Sequence, residues 1–300
     1  MADLVRYRSP DEDSARWEGF EFRDGDIVIS TRSKTGTTWI QMICALLIFQ
    51  TPDLPEPLWR VSPWLDWLVT PREEIYARLD AQRHRRFIKS HTPLDGIPRD
   101  PRATYVVTAR HPLDVAVSLY HQSLNIDRSR LHQLTGNEAP AQRRETTAEP
   151  STPPVREWLL GWIEEDADPR DQLDSLPGLM HHLCDAWNRR EQGNLVLVHY
   201  DDLCEDLEGQ MRALASTLGI PVDAELWPAL VDAATFTRMR ELAHETVPDP
   251  SGILKDRSRF FRRGSSGSGS ELLTDVEVAR YHSRVSCLAP PEVLAWLHRT

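Results

Sequence analysis

Five consecutive residues, Lys34-Thr35-Gly36-Thr37-Thr38, bring together one cation, three hydroxyls and a glycine. Glycine lets backbone approach a ligand closely. Upstream, residues 26–30 form a short β-branched apolar run. Downstream, the segment TTWIQMICALLIFQ is apolar on every face. This order predicts a strand, a tight turn and a buried helix that starts at Thr37 or Thr38. The first N–H groups of such a helix lack intrahelical partners, and its dipole favours negative charge. The chemistry is therefore the cradling of a phosphate-like anion. The turn is P-loop-like but not a Walker A loop, because GxxxxGK[ST] is absent and the lysine precedes the glycine.

The elements that must hold this turn can be read along the chain. Further strands are expected at 86–89, 103–109 and 194–200, the one at 103–109 being a near-continuous apolar run suited to a strand covered on both faces. Helices are expected at 155–165, 178–191, 206–218, 224–233, 275–286 and 291–297, and one follows Pro112, which suits a first helical turn. Strands alternating with helices imply an α/β fold of three layers around a mostly parallel central sheet. A single domain over 1–300 is expected. Two stretches interrupt it. Residues 125–154 are rich in Arg, Glu, Thr and Pro and read as a mobile insertion or lid. Residues 262–270 end in Ser and Gly and read as a flexible loop.

Three blocks in order resemble a known family. Ser33-Lys34-Thr35-Gly36-Thr37-Thr38-Trp39 is similar to the PKSGTTW loop of the sulfotransferases that use 3′-phosphoadenosine 5′-phosphosulfate (PAPS). TARHPLDVAVSLYH, residues 108–121, looks like that family's RNPKDVAVSxYH segment. Phe260-Phe261-Arg262-Arg263-Gly264 is similar to its FxRKGxxGDWK segment, although Ser268-Gly269-Ser270 replaces Asp-Trp-Lys. The resemblance covers roughly 25–270. It implies that Lys34, Thr35, Gly36, Thr37 and Thr38 hold the 5′-phosphosulfate and that Trp39 stacks near the adenine. It implies that Arg110 and Ser118 bind the 3′-phosphate, over which Phe260, Phe261, Arg262, Arg263 and Gly264 close. Tyr200, Thr235 and Phe236 are implied as contacts to the base.

Sulfuryl transfer needs a cation at the departing phosphate and a base at the acceptor. Lys34 fits the first role. Lys89-Ser90-His91 ends the second strand and resembles the family's KTHLP segment, which implies His91 as general base and Lys89 on the sulfuryl oxygens. A neutral imidazole can take a proton near pH 7, and ligand sites in α/β sheets lie at the carboxyl ends of strands. His111, beside Arg110, is the rival base. Trp59, Trp64 and Trp67 offer an apolar wall for a small-molecule or lipid-like acceptor. No metal is expected, since fixed cations and N–H groups can do the electrostatic task.

The bulk composition limits other readings. The chain has 300 residues, 40% hydrophobic and 27% charged, so wholesale disorder is excluded. Its formal charge of −11 argues against a general nucleic-acid binder. No run is long and apolar enough to span a bilayer, no secretory h-region is visible, and the four cysteines form no CxxC pair, so a cytoplasmic protein with reduced thiols is expected. A homodimer is possible by family analogy, yet Leu242 and Ser251 stand where the family's dimer segment carries charges around Thr246-Val247. Two other functions stay open here: a P-loop-type kinase or nucleotide hydrolase, and a non-catalytic nucleotide-binding relative.

Overall fold

Four strands carry the structure: β1 (Ile27–Ser30), β2 (Phe87–Ser90), β3 (Thr104–Ala109) and β4 (Leu195–His199). The computed structural model describes residues 4–136, 152–247, 249 and 251–299. The strands lie in the order β2-β1-β3-β4, and every neighbouring pair is parallel. All four expected strands are present, each trimmed or shifted by a residue or so.

The pleat sends alternate side chains to opposite faces, and the core follows that alternation. Ile27, Ile29, Phe87 and Val106 join the buried face of α1 (Thr37–Phe49) and the helices Leu207–Leu218 and Trp227–Ala233. Val28, Ile88, Tyr105 and Val107 point the other way, onto Trp17, Phe20, Phe22 and Leu79. A third cluster joins the helices Pro112–Asn125, Val155–Glu164, Leu176–Trp187, Asp275–Ser286 and Pro291–His298. Helices thus cover both sides of the sheet, as the three-layer expectation required. Eleven of the 13 residues of α1 are buried, including Gln41, so this helix has no solvent face to make polar. Each fully buried Leu or Ile contributes roughly 1.5–3 kcal/mol.

Two differences from the sequence reading matter. Tyr200 is not the end of β4 but the first residue of the helix Tyr200–Glu205, because the His199 side chain caps that helix by accepting from the Asp201 N–H. Within 125–154, read as an irregular lid, Arg128–Thr135 is a helix, capped by Asp127 through the Arg130 N–H. Residues 137–151 of that stretch lie outside the described residues.

The chain runs from β1 outward to β2 and returns past β1 to β3, so the connection reverses direction between β1 and β3. Such a switch point opens a crevice at the strands' carboxyl ends. The β1 turn, His91 and Arg110 all leave the sheet at that end.

Candidate active site

The turn after β1 is shaped by two left-handed residues, Lys34 at φ 68° and Gly36 at φ 115°. A Cβ at Gly36 would meet the Tyr200 ring at 3.2 Å, so both conformation and space favour glycine. Gly36 is the N-cap of α1 and makes no side-chain cap. The N–H groups of Gly36, Thr37 and Thr38 have no hydrogen-bond partner among the described residues. They remain free donors at the positive end of a 13-residue helix.

One cavity at the sheet's carboxyl end is lined by Ser33, Lys34, Gly36, Thr37, Thr38 and Trp39 from this turn. Arg110 lines it just after β3, and Ser118, Tyr200 and Phe236 line it from the helices Pro112–Asn125, Tyr200–Glu205 and Phe236–Glu241. Phe260, Phe261, Arg262, Arg263 and Gly264 complete that part of the wall. The three blocks singled out in the sequence therefore meet around one space. Trp39 is locked by its Nε1–H donating to the Ala234 carbonyl at 2.8 Å and meets Tyr200 edge to face at 5.4 Å.

The electrostatics here are unbalanced. Burial, then Arg110, Lys89 and Arg262, push the Lys34 ammonium down to about 7. Its Nζ lies 4.4 Å from the Phe260 ring centroid. The Arg110 guanidinium stacks 4.1 Å from the Tyr200 ring centroid and donates to the Lys34 and Ser265 carbonyls at 3.4 and 3.0 Å. Its buried Nε has no partner. A buried donor left unpaired and cations that depress one another are costly. A polyanion in the cavity would relieve both.

His91 is buried, and its Nδ1–H donates to the Thr31 carbonyl. A carbonyl can only accept, so Nε2 carries the lone pair. Burial first, then Lys89 and Arg32, hold the imidazole well below its usual value, hence neutral. The His91 carbonyl in turn accepts from Arg32, whose other terminal nitrogen meets Asp174 at 2.5 Å. The flanking Ser90 and Thr92 hydroxyls both donate to buried Asp66, at 2.5 and 2.6 Å. Burial lowers Lys89 to about 8, and its Nζ sits 3.5 Å from the Trp64 ring centroid. Trp64 stacks on Trp67 at 4.9 Å and meets His91 edge-on at 4.6 Å. Trp64, Trp67, Lys89 and His91 all line the same cavity.

Several expected contacts are placed elsewhere. The Thr35 hydroxyl is consumed inside the turn, donating to the Arg32 carbonyl at 2.8 Å and meeting the Thr108 hydroxyl at 2.8 Å. Thr235 caps the helix Phe236–Glu241 through the Arg238 N–H and does not reach the cavity wall. Trp59 does not line the cavity itself but an adjoining small hollow that shares Trp64, Trp67 and Lys89 with it, where the Arg78 guanidinium is 5.2 Å from the Trp59 ring centroid. His111 caps the helix Pro112–Asn125 and packs on Tyr281 and His298, so the rival base does not line the cavity. The sequence reading also missed lining residues: Asp11, Gln122, Ile126, Leu131, Met239, Asp249, Ile253 and Leu254. Five of these are apolar. The Asp127 cap beside Leu131 was the one local signal that could have found that part of the wall.

No helix among the described residues is long and apolar enough to cross a membrane. Comparison with known proteins agrees with the geometry. The glycolipid sulfotransferase of Mycobacterium bovis is 42% identical over 99% of this chain and 95% of its own length. Human sulfotransferase 2B1 is 28% identical over 82% of this chain and 61% of its own. Mouse sulfotransferase SULT7A1 complexed with PAP superposes with a TM-score of 0.67 at 17% identity, covering 96% of this chain and 93% of that one. Retinol dehydratase in complex with androsterone and inactive cofactor PAP does so with 0.65 at 18%, covering 93% and 86%. These structural likenesses support the fold alone; the kinase, hydrolase and non-catalytic alternatives fall away on the family match and the 42% identical relative. The sulfotransferase domain profile matches residues 24–286, and with a 42% identical relative across nearly its whole length the chain belongs to the sulfotransferase family.

Proposed function

We propose that this sulfotransferase moves a sulfuryl group from PAPS to a hydroxyl, or an amine, of a lipid-like acceptor. One observation carries the donor half: four cations, Lys34, Lys89, Arg110 and Arg262, crowd one buried space in which burial and mutual repulsion depress Lys34. A ligand with several negative charges balances such a set. Gly36, Thr37 and Thr38 supply N–H donors, and Lys34 a point charge, for the 5′ end. Arg110, Ser118 and Arg262 serve the 3′-phosphate, with Arg263 and Gly264 beside them. Trp39, Tyr200, Phe236, Phe260 and Phe261 enclose the base.

The bound donor supplies the sulfuryl group and a bisphosphate leaving group. The acceptor O–S bond forms as the bond from sulfur to the bridging oxygen breaks. His91 Nε2 takes the acceptor proton. Lys34 steadies the charge growing on the departing phosphate, and Lys89 steadies the transferring oxygens. For the acceptor half, Ile126, Leu131, Met239, Ile253 and Leu254 give an apolar wall next to Trp64 and Trp67. An apolar wall suits an acyl or prenyl portion. The glycolipid sulfotransferase relative supports the same class. A cytoplasmic location fits this chemistry.

Two measurements test this reading. Labelled sulfate from PAPS should appear on lipid alcohols or glycolipids, and no transfer to any member of a broad lipid and phenol panel would sink it. The second is a pH effect. Free Lys34 titrates at about 7, and a bound polyanion must raise that value. Protonated Lys34 is then the binding form, so affinity is highest below about 7 and falls as pH rises through that value. Calorimetry of adenosine 3′,5′-bisphosphate at pH 8 in buffers of different ionisation enthalpy should show net proton uptake. Proton release, or none, would contradict the assigned cluster.

A further inference from the structure

The loop at 262–270 poses a physical problem. Its Ser-Gly composition is that of a flexible linker, yet it carries Arg262, Arg263 and Gly264 on the cavity wall. A loose loop would bring these cations to an anion only at an entropic cost. Here it is held. Asp114, 1% exposed in the first turn of the helix Pro112–Asn125, faces the loop. Its Oδ2 accepts from the Gly267 N–H at 2.8 Å. Its Oδ1 accepts from the Gly269 N–H at 2.9 Å and from the Ser268 hydroxyl at 3.0 Å. All three bonds are to a carboxylate, the stronger class of hydrogen bond.

The third bond reaches the functional side chain. With its hydrogen committed to Asp114, Ser268 Oγ presents a lone pair, and the Arg262 guanidinium donates to it at 3.1 Å. A line of contact therefore runs from Asp114 through Ser268 to Arg262. Ser268 itself is buried, at 4% exposure. The glycines make the arrangement sterically possible. A Cβ on Gly269 would come within 2.4 Å of the Leu113 carbonyl carbon, and one on Gly264 within 2.4 Å of the Phe236 ring. The loop also touches the site from its other side, where the Ser265 carbonyl accepts from Arg110.

We infer that Asp114 is a positioning residue for donor binding: it pins the 262–270 loop and, through Ser268, aims Arg262 into the cavity. The inference rests on the reading of that cavity as the PAPS site. Asp114 does not line the cavity, so its effect belongs in donor affinity and not in the chemical step. If the pinned state fell from dominant to about one tenth of the population, apparent affinity would fall about tenfold in proportion.

The test uses the full chain and three variants: Asp114→Ala, Asp114→Asn and Ser268→Ala. Calorimetric affinity for adenosine 3′,5′-bisphosphate, donor KM, kcat at saturating donor and the rate of tryptic cleavage after Arg262 and Arg263 are read for each. Asp114→Ala should weaken the bisphosphate and raise donor KM by at least about tenfold, with kcat changed by no more than about threefold. Cleavage at the two arginines should quicken. Asp114→Asn keeps the oxygen that serves Ser268 and Gly269 but sets an amide against the Gly267 N–H, so it should fall between wild type and Asp114→Ala. Ser268→Ala removes two bonds, the one to Asp114 and the one from Arg262, and leaves both backbone bonds to Asp114 in place, so it decides the matter if Asp114→Ala does not fold, and it should weaken binding by a few-fold or more. Unchanged bisphosphate affinity in folded Asp114→Ala or in Ser268→Ala, while wild type binds, overturns this inference alone. Loss of kcat without loss of affinity overturns it too. A wild-type protein that does not bind the bisphosphate overturns the reading of the cavity as well.

Discussion

His91→Ala should lower kcat by at least ~10²-fold while leaving bisphosphate affinity within about twofold, because a general base contributes ~10²–10⁴-fold to the chemical step and little to donor binding. The reason is in the ring's two nitrogens. Thr31 claims Nδ1–H, so Nε2 is the nitrogen with a lone pair. Burial and the cations Lys89 and Arg32 hold the ring neutral. The sign of the pH dependence follows. A depressed value keeps the imidazole unprotonated as pH falls past the ordinary histidine range. The acid limb of kcat should therefore lie well below 6.5, the ordinary histidine value. His91→Asn sharpens the test, since an amide can still donate to Thr31 but offers no basic nitrogen. Single-turnover rates at saturating donor should fall alike for both variants. Turnover near wild type in either would dismiss His91 as the base.

The parts of this site that could be read in the chain share one property: they are local. The turn after β1 announces itself because strand, small residues and buried helix occur within about two dozen positions. Arg110 follows a strand whose apolar run is nearly unbroken, as a parallel strand covered on both faces must look, and His91 follows the shorter run Phe87-Ile88. What could not be read depends on distant packing. Thr35 looks like its neighbours Thr37 and Thr38, yet its hydroxyl donates to the Arg32 carbonyl and meets Thr108 on β3. Trp59 and Trp64 are close in sequence and both aromatic, but only Trp64 meets Lys89 and His91. The helix Arg128–Thr135 has just two leucines in eight residues, too few for a hydrophobic period to show. Its cap at Asp127 was the available clue. Asp11 reaches the cavity from a segment before the first strand, where the Leu68 N–H donates to its carbonyl. No short-range pattern encodes that. Composition alone is silent on what the 262–270 loop touches, because the carboxylate that accepts from Gly267 and Gly269 lies about 150 positions earlier in the chain.

Removing the cations separates binding from chemistry. Arg110→Ala should weaken adenosine 3′,5′-bisphosphate by roughly 10–100-fold, the loss of about one charge-assisted bond at roughly 1.5–3 kcal/mol. Its orphan Nε and its stacking on Tyr200 both belong to a guanidinium already in place for an anion. Little reorganisation then offsets the loss. Because the 3′-phosphate does not change during transfer, Arg110→Ala should raise donor KM and leave kcat at saturation nearly intact. Lys34→Ala should behave differently. Its ammonium faces the phosphate whose charge grows as the S–O bond breaks, so the variant should lose affinity and also kcat, the latter by roughly 10²–10³-fold, as when one preorganised donor to a developing charge is removed. Free Lys34 titrates at about 7 and Lys89 at about 8, so deleting Lys34 should remove most of the proton uptake on bisphosphate binding at pH 8 and leave the share of Lys89, whereas Arg110→Ala should reduce the uptake only in part, by letting free Lys34 rise. Lys34→Met, which keeps the length and apolar contact with Phe260, controls for packing. Bisphosphate affinities that stay at the wild-type value in both Arg110→Ala and Lys34→Ala would leave the cation cluster without a ligand and the donor site without a location.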